Sequence, residues 1–193
     1  MAAAEQILTR ISDRPFTVLV FFRGSWCPFC QGYLRELGGT FRKQVEHAGG
    51  ALIAITSQLD QRVQADWELG FDVLSDPENT LALRFGAAIT PKEQTPLAGH
   101  PTEYAHGMAQ PAVVALDING QVLYRWAIEP AETNLGGASD RPLPAFVWAS
   151  IEAARQGRPL PAPEDARLDP DFLAAHYPAL HKTFVDWVAS MSA

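Results

Sequence analysis

Apolar positions along the chain fall into two kinds of run. Phe16-Thr-Val-Leu-Val-Phe-Phe22 and Ala51-Leu-Ile-Ala-Ile-Thr56 are nearly continuous, and Thr17 is the only polar member of the first. Such runs read as strands buried on both faces. Phe71–Leu74 is a shorter third strand. Pro111–Leu116 and Gln121–Trp126 flank Asn119-Gly120, the strongest short hairpin signal. The other runs have helical spacing: Leu34, Leu37, Phe41 and Val45; Leu59, Val63, Trp67 and Leu69 within 58–69; Leu81, Leu83 and Phe85 up to Gly86; and Phe146, Val147, Ile151 and Ala154 within 141–156. A short helix is expected over 3–11. Asp76-Pro77 has the form of an N-cap followed by proline at the first helical position. Gly38-Gly39 predicts a kink or break in the first long helix, and Gly49-Gly50 ends it.

Strands alternating with helices imply parallel pairing through right-handed crossovers, closed by an antiparallel hairpin. The expected fold class is therefore α/β, with a central mixed sheet and helices on both faces. Residues 87–110 interrupt the alternation with Pro91, Pro96, Gly99, Pro101 and Gly107 among His100, Glu103, Tyr104 and His106. A long insertion of this kind is usually functional or disordered. Its histidines are either proton donors near a site or solvent-facing loop residues. A proline-rich linker begins at Gly157. After Asp169-Pro170 an apolar stripe runs through Leu173, Tyr177, Leu180, Phe184, Trp187 and Met191, interrupted by Pro178. The expected organisation is one redox domain, 1–156, followed by a linker and helical tail, 157–193. The tail either packs on its own domain or forms a homodimer contact.

Charge and composition narrow the function. The net charge is −7, which argues against nucleic-acid binding. No segment reaches the roughly 18 apolar residues of a membrane span, and the N-terminus lacks the basic and apolar regions of a secretory signal. A cytoplasmic location is expected.

The two cysteines, Cys27 and Cys30, are the only ones in the chain. They sit where the first buried strand ends and a helix begins, with Pro28 fitting the first helical position. Residues three apart on a helix approach to about 5–6 Å, within the separation a disulfide needs. A helix N-terminus favours an anion and can lower a thiol from about 8.5 to roughly 7 or below. Arg23 could add positive charge. On this basis Cys27, at the helix start, is expected to be the low-pKa nucleophile, and Cys30, one turn inside, the more shielded partner. A zinc site would need four ligands, yet no second cysteine pair exists and the histidines at 47, 100, 106, 176 and 181 are scattered. A structural disulfide would close only a tiny loop. In a reducing compartment a strand–CxxC–helix is redox chemistry, and no cofactor or metal is implied.

Phe21-Phe-Arg-Gly-Ser-Trp-Cys-Pro-Phe-Cys30, Gln110-Pro111 and Leu116-Asp-Ile-Asn-Gly-Gln-Val122 resemble the CxxC-containing peroxiredoxin-like proteins of the alkyl hydroperoxide reductase/thiol-specific antioxidant type. These belong to the thioredoxin superfamily, and the resemblance covers roughly residues 5–156. It implies a thioredoxin-like fold in its peroxiredoxin-like variant. It also implies that Cys27 attacks and Cys30 resolves, that Trp26 stands where thioredoxins carry a tryptophan, and that Pro111 matches a cis-proline facing the cysteines. Gln110 and Pro111, with Trp26 and Arg23, are then the substrate-binding residues, and the Gln110 backbone forms an edge that a disulfide-bearing peptide joins as an added strand. The chain departs from the family at Val20 and Gly24, where peroxiredoxins carry proline and threonine, and at Phe21, where thioredoxins carry a buried aspartate. These departures rank thiol–disulfide exchange with a disulfide-containing protein first. Thiol peroxidase action on a small peroxide comes second, and a redox-inert binding module third. Either enzyme would need an external thiol reductant.

Overall fold

The computed structural model describes Thr9 and residues 13–59, 67–98, 104–128, 141–161 and 167–168. The helices expected at 3–11 and in the tail, most of the one at 58–69, and His100 lie outside the described residues. Strand β1 (Phe16–Phe22) is followed by helix α1 (Pro28–Glu36), a wider π-type turn (Leu37–Phe41) and helix α2 (Arg42–His47). Then come β2 (Ala51–Thr56), β3 (Asp72–Ser75), α3 (Thr80–Phe85), β4 (Ile89–Thr90), a 3-10 helix (Lys92–Ala98), β5 (Met108–Ala109), β6 (Ala112–Asp117), β7 (Val122–Ala127), β8 (Arg141–Pro142), α4 (Pro144–Arg155) and β9 (Arg167–Leu168).

The main sheet has the order β3-β2-β1-β6-β7. β1, β2 and β3 run parallel, while β6 is antiparallel to both β1 and β7. Every residue of β1 is buried, because the pleat alternates its side chains between two cores. Phe16, Val18, Val20 and Phe22 pack with α1, α2 and α4. Leu19 and Phe21 pack with Leu81 and Ala82 of α3 on the other face. The fold is thus the expected α/β architecture with a mixed sheet covered on both sides.

The glycine pair breaks the first helical stretch as expected. Gly39 leaves helical geometry at φ −81°, ψ −120°. At Gly38 a Cβ would lie 2.8 Å from the Leu69 carbonyl oxygen, closer than real contacts allow, so the chain crosses there only with glycine. Two apolar assignments fail. Leu83 is 66% exposed and Leu59 is 70% exposed. On a helix, position 83 points nearly opposite to position 81, and Leu81 is the residue that takes the core.

Asp76 caps its helix from further away than expected. The helix begins at Thr80 behind Asn79, which adopts a left-handed conformation. The Asp76 carboxylate accepts from the backbone N–H groups of Thr80, Leu81 and Ala82 at 3.0, 2.8 and 3.2 Å. These are orphan donors of the first turn, and the charge also favours that helix end. Asp76→Ala is expected to cost roughly 2–3 kcal/mol. In thermal unfolding that is a fall in Tm of about 4–12 °C.

Arg141 and Pro142 were expected inside the last helix. They form β8 instead, paired with β9, and Pro144 opens α4 at a first-turn position. This places Arg141 beside the cysteines.

Candidate active site

Leaving β1, the chain turns at Arg23–Trp26 and enters α1. Cys27 is its N-cap, with extended backbone (φ −86°, ψ 108°) and Pro28 at the first turn. The Cys27 N–H bonds the Gly24 carbonyl at 3.2 Å. The Cys27 Sγ accepts from the Cys30 N–H at 3.4 Å, so the sulfur takes the place that serine or aspartate takes in other caps. Both cysteines are free thiols, each only 2% exposed.

Two buried guanidinium groups flank the pair. Arg23 is 2% exposed and Arg141 3%. Arg141 Nη2 donates to Cys30 Sγ at 3.8 Å, while Arg23 Nε donates to Gln110 Oε1 at 2.9 Å. The segment carrying Arg141 is fastened to α1, because the Tyr33 hydroxyl donates to the Pro142 carbonyl at 2.9 Å. Burial pushes the Cys27 thiol up, and the hydrogen bond to Cys30 with the charge there pushes it further, against Arg23 and Arg141. Burial also acts to raise Cys30. The hydrogen bond from Cys27, the charges of Arg141 and Arg23 and the Arg23 backbone outweigh it and bring Cys30 down to about 5. The expectation that Cys27 is the low-pKa member is therefore corrected. Helix position alone favours Cys27, but Arg141, 111 residues away in sequence, tips the shared charge to Cys30.

The insertion closes over this turn. Tyr104 is fully buried. Its hydroxyl accepts from Trp26 Nε1 and donates to the Arg23 carbonyl, both at 2.8 Å. Gln58 Oε1 accepts from the Ser25 N–H at 2.7 Å. A Cβ on Gly24 would press into the Tyr104 hydroxyl and the Gln58 side chain. Glycine stands at this position because the insertion delivers a tyrosine hydroxyl into the space. Asn79 Nδ2 holds the insertion from below, donating to the carbonyls of His106 and Gly107 at 2.9 Å each. His106 itself is exposed, so it supplies a carbonyl to this network while its ring faces solvent.

Gln110 and Pro111 do not form the expected platform. The Gln110–Pro111 bond is trans. Gln110 is fully buried, and its N–H bonds the Ala88 carbonyl at 2.8 Å. Its side chain is clamped, accepting from Arg23 and donating through Nε2 to Thr90 Oγ1 at 2.7 Å. The backbone edge that a peptide would join is already used internally. Gln110 instead orients Arg23.

The structure therefore brings together Cys27, Cys30, Trp26, Arg23 and Gln110 of the expected site and adds Tyr104, Gln58, Tyr33 and Arg141. None of the added residues belongs to a local motif. A tyrosine in a proline-rich insertion and an arginine before a helix carry no spacing signal. Among the described residues, no group of three or more His, Cys, Asp or Glu side chains could hold a metal ion.

Comparison with known proteins agrees with this architecture. The solved structures similar to the chain include a peroxidoxin, BcpB, from Mycobacterium tuberculosis, at 15% identity and a TM-score of 0.50, over 76% of this chain and 84% of that one. A reduced 2-Cys peroxiredoxin from Plasmodium vivax is similar at 14% identity and a TM-score of 0.55, over 78% and 83%. No curated protein matches the chain. The AhpC/TSA family model matches residues 5–125. With its peroxiredoxin-like fold and its adjacent cysteines at a helix N-terminus, the chain belongs to the AhpC/TSA family and is an oxidoreductase of the thioredoxin superfamily.

Proposed function

We propose that the protein is a dithiol peroxidase that reduces small hydroperoxides, with Cys27 attacking and Cys30 resolving. The observation that carries this is the near-complete enclosure of both sulfurs, each 2% exposed, beside a backbone edge already satisfied at Gln110. A protein disulfide must lay a peptide along the site to bring its sulfur in line. A hydroperoxide needs only a narrow approach. Family membership and the likeness to peroxiredoxins support the same order, which reverses the ranking drawn from Val20 and Gly24.

In the proposed cycle the Cys27 sulfur bonds to one peroxide oxygen, the O–O bond breaks, and alcohol or water leaves. The Cys27 sulfenic acid condenses with Cys30, releasing water and forming the disulfide. An external thiol reductant then restores the dithiol through a mixed disulfide. Disulfide exchange is the second half of this cycle. A reducing, cytoplasmic compartment would supply that reductant. Among the described residues no helix is long and apolar enough to cross a membrane.

The test compares two oxidants on one preparation of reduced protein: hydrogen peroxide and a disulfide-bonded protein. The expected result is faster oxidation of the dithiol by peroxide. Faster oxidation by the protein disulfide would return the assignment to a disulfide oxidoreductase.

A further inference from the structure

We infer that Arg141 holds the resting negative charge of the dithiol on Cys30, and that the Cys30 thiolate is the base that takes the Cys27 proton as Cys27 attacks. The base role rests on the proposed peroxide chemistry, while the charge assignment stands without it.

The placement of the cations makes the case. Arg141 Nη2 is 3.8 Å from Cys30 Sγ in a buried setting, where a charge-assisted contact is least screened. The arginine is fixed there by its backbone. β8 pairs with β9, and Pro142 receives the Tyr33 hydroxyl from the cysteine helix itself. The direction of the two thiol shifts agrees, with Cys30 lowered and Cys27 raised. The titratable and charged groups facing the pair are few. Tyr33 lies on the same helix with Glu36 behind it, and Tyr124 lies on β7. Burial pushes Tyr33 well above its ordinary range and Tyr124 up to about 12, so both stay neutral. Arg23 and Arg141 set the local field.

This division of labour suits the chemistry. A thiolate with a strongly depressed pKa is a weak nucleophile, since nucleophilicity falls with pKa. Cys30 is thus well stabilised as an anion, and Cys27 becomes the stronger attacker once its proton is removed. The steps balance. The Cys27 proton passes to Cys30, a Cys27 S–O bond forms, and the O–O bond breaks. The alkoxide or hydroxide that leaves takes the proton back from the Cys30 thiol. The Cys30 thiolate then attacks the sulfenic sulfur of Cys27, expelling hydroxide, which one proton from solvent converts to water.

Two measurements on the reduced protein test this. The first is thiolate absorbance against pH in single-cysteine variants and needs no peroxide. Cys27→Ser, which leaves Cys30 with Arg141 and a hydroxyl donor, is expected to titrate at least about one unit below Cys30→Ser, as an adjacent cation lowers an acid by roughly 1–3 units. Arg141→Met added to Cys27→Ser is expected to raise that midpoint, and Arg141→Lys to restore part of it. Tyr33→Phe, a milder change that loosens the hold on Pro142, is expected to raise it less. A Cys30→Ser midpoint at or below that of Cys27→Ser overturns the charge assignment. So does an unmoved midpoint in folded Arg141→Met or, if that variant does not fold, in Tyr33→Phe. The second measurement is the rate of Cys27 sulfenic acid formation with hydrogen peroxide. Cys30→Ser is expected to slow it about a hundred-fold near neutral pH, the scale of a lost general base, with the deficit shrinking as pH rises and Cys27 ionises by itself. An undiminished rate in Cys30→Ser overturns the base role. If the unsubstituted protein proves no faster with peroxide than a free thiol, the peroxidase reading and the base role fall together, and the titration still decides the charge assignment.

Discussion

Cys27→Ser is expected to abolish peroxide reduction, by about a thousand-fold or more, as removal of a nucleophile does, while the protein stays folded. A serine hydroxyl at the N-cap can accept the Cys30 N–H that the sulfur now accepts at 3.4 Å, and serine is a preferred cap. The loss should therefore appear in turnover and leave thermal stability near that of the reduced parent. The remaining Cys30 does not replace it. Cys30 lies inside the helix against Arg141, and its depressed pKa of about 5 makes it a poor attacker. Peroxide consumption with an excess of thiol reductant checks this, and retained turnover in Cys27→Ser would move the nucleophile to Cys30.

Phe16→Ala is expected to produce the largest loss of stability, about 3–5 kcal/mol. Phe16 is fully buried at the start of β1. Its ring meets Trp148 of α4 at 6.3 Å, and the Arg155 guanidinium lies over its face at 4.2 Å. Gly50 allows the fit, since a Cβ there would sit 2.4 Å from the Phe16 ring. Truncation leaves a cavity between the sheet and α4, and the rigid elements around it can close it only in part. For a domain of this size the fall in Tm is expected to be roughly 6–20 °C. Because β8 runs directly into α4, loosening α4 should also disturb Arg141. A Tm within a few degrees of the parent would show that the ring is not a keystone of this layer.

Much of the architecture was legible because its signals are local. β1 and β2 are continuous apolar runs, and the sheet buries both of their faces. The Gly38-Gly39 pair broke the helix where it stands, and Asn119-Gly120 marked the β6–β7 turn. The cysteine pair declared its position through the strand before it and Pro28 after it. What failed depended on distant partners. Arg141 reads as the start of a helix until its pairing with β9 draws it into a strand. The pKa order of the cysteines follows from that one displaced arginine. Gln110–Pro111 suggested an open edge, but Ala88 and Thr90 of the insertion occupy it. Gly24 looked like the loss of a threonine, whereas the structure fills its place with the Tyr104 hydroxyl. A single sequence carries no record of which insertion residue will reach back to a loop some eighty positions earlier.

The central claim, that this dithiol is built for a small hydroperoxide, is tested most directly by stopped-flow oxidation of the fully reduced protein with stoichiometric hydrogen peroxide across pH. The expected result is a second-order rate orders of magnitude above that of a free thiolate, with each peroxide consumed yielding one Cys27–Cys30 disulfide. Its pH profile should follow the ionisation that leaves one charge on the pair. That group is lowered to about 5, so the rate should climb as pH rises through about 5 and level off before neutrality. A rate equal to that of an ordinary thiol, still rising through pH 8, would contradict the account.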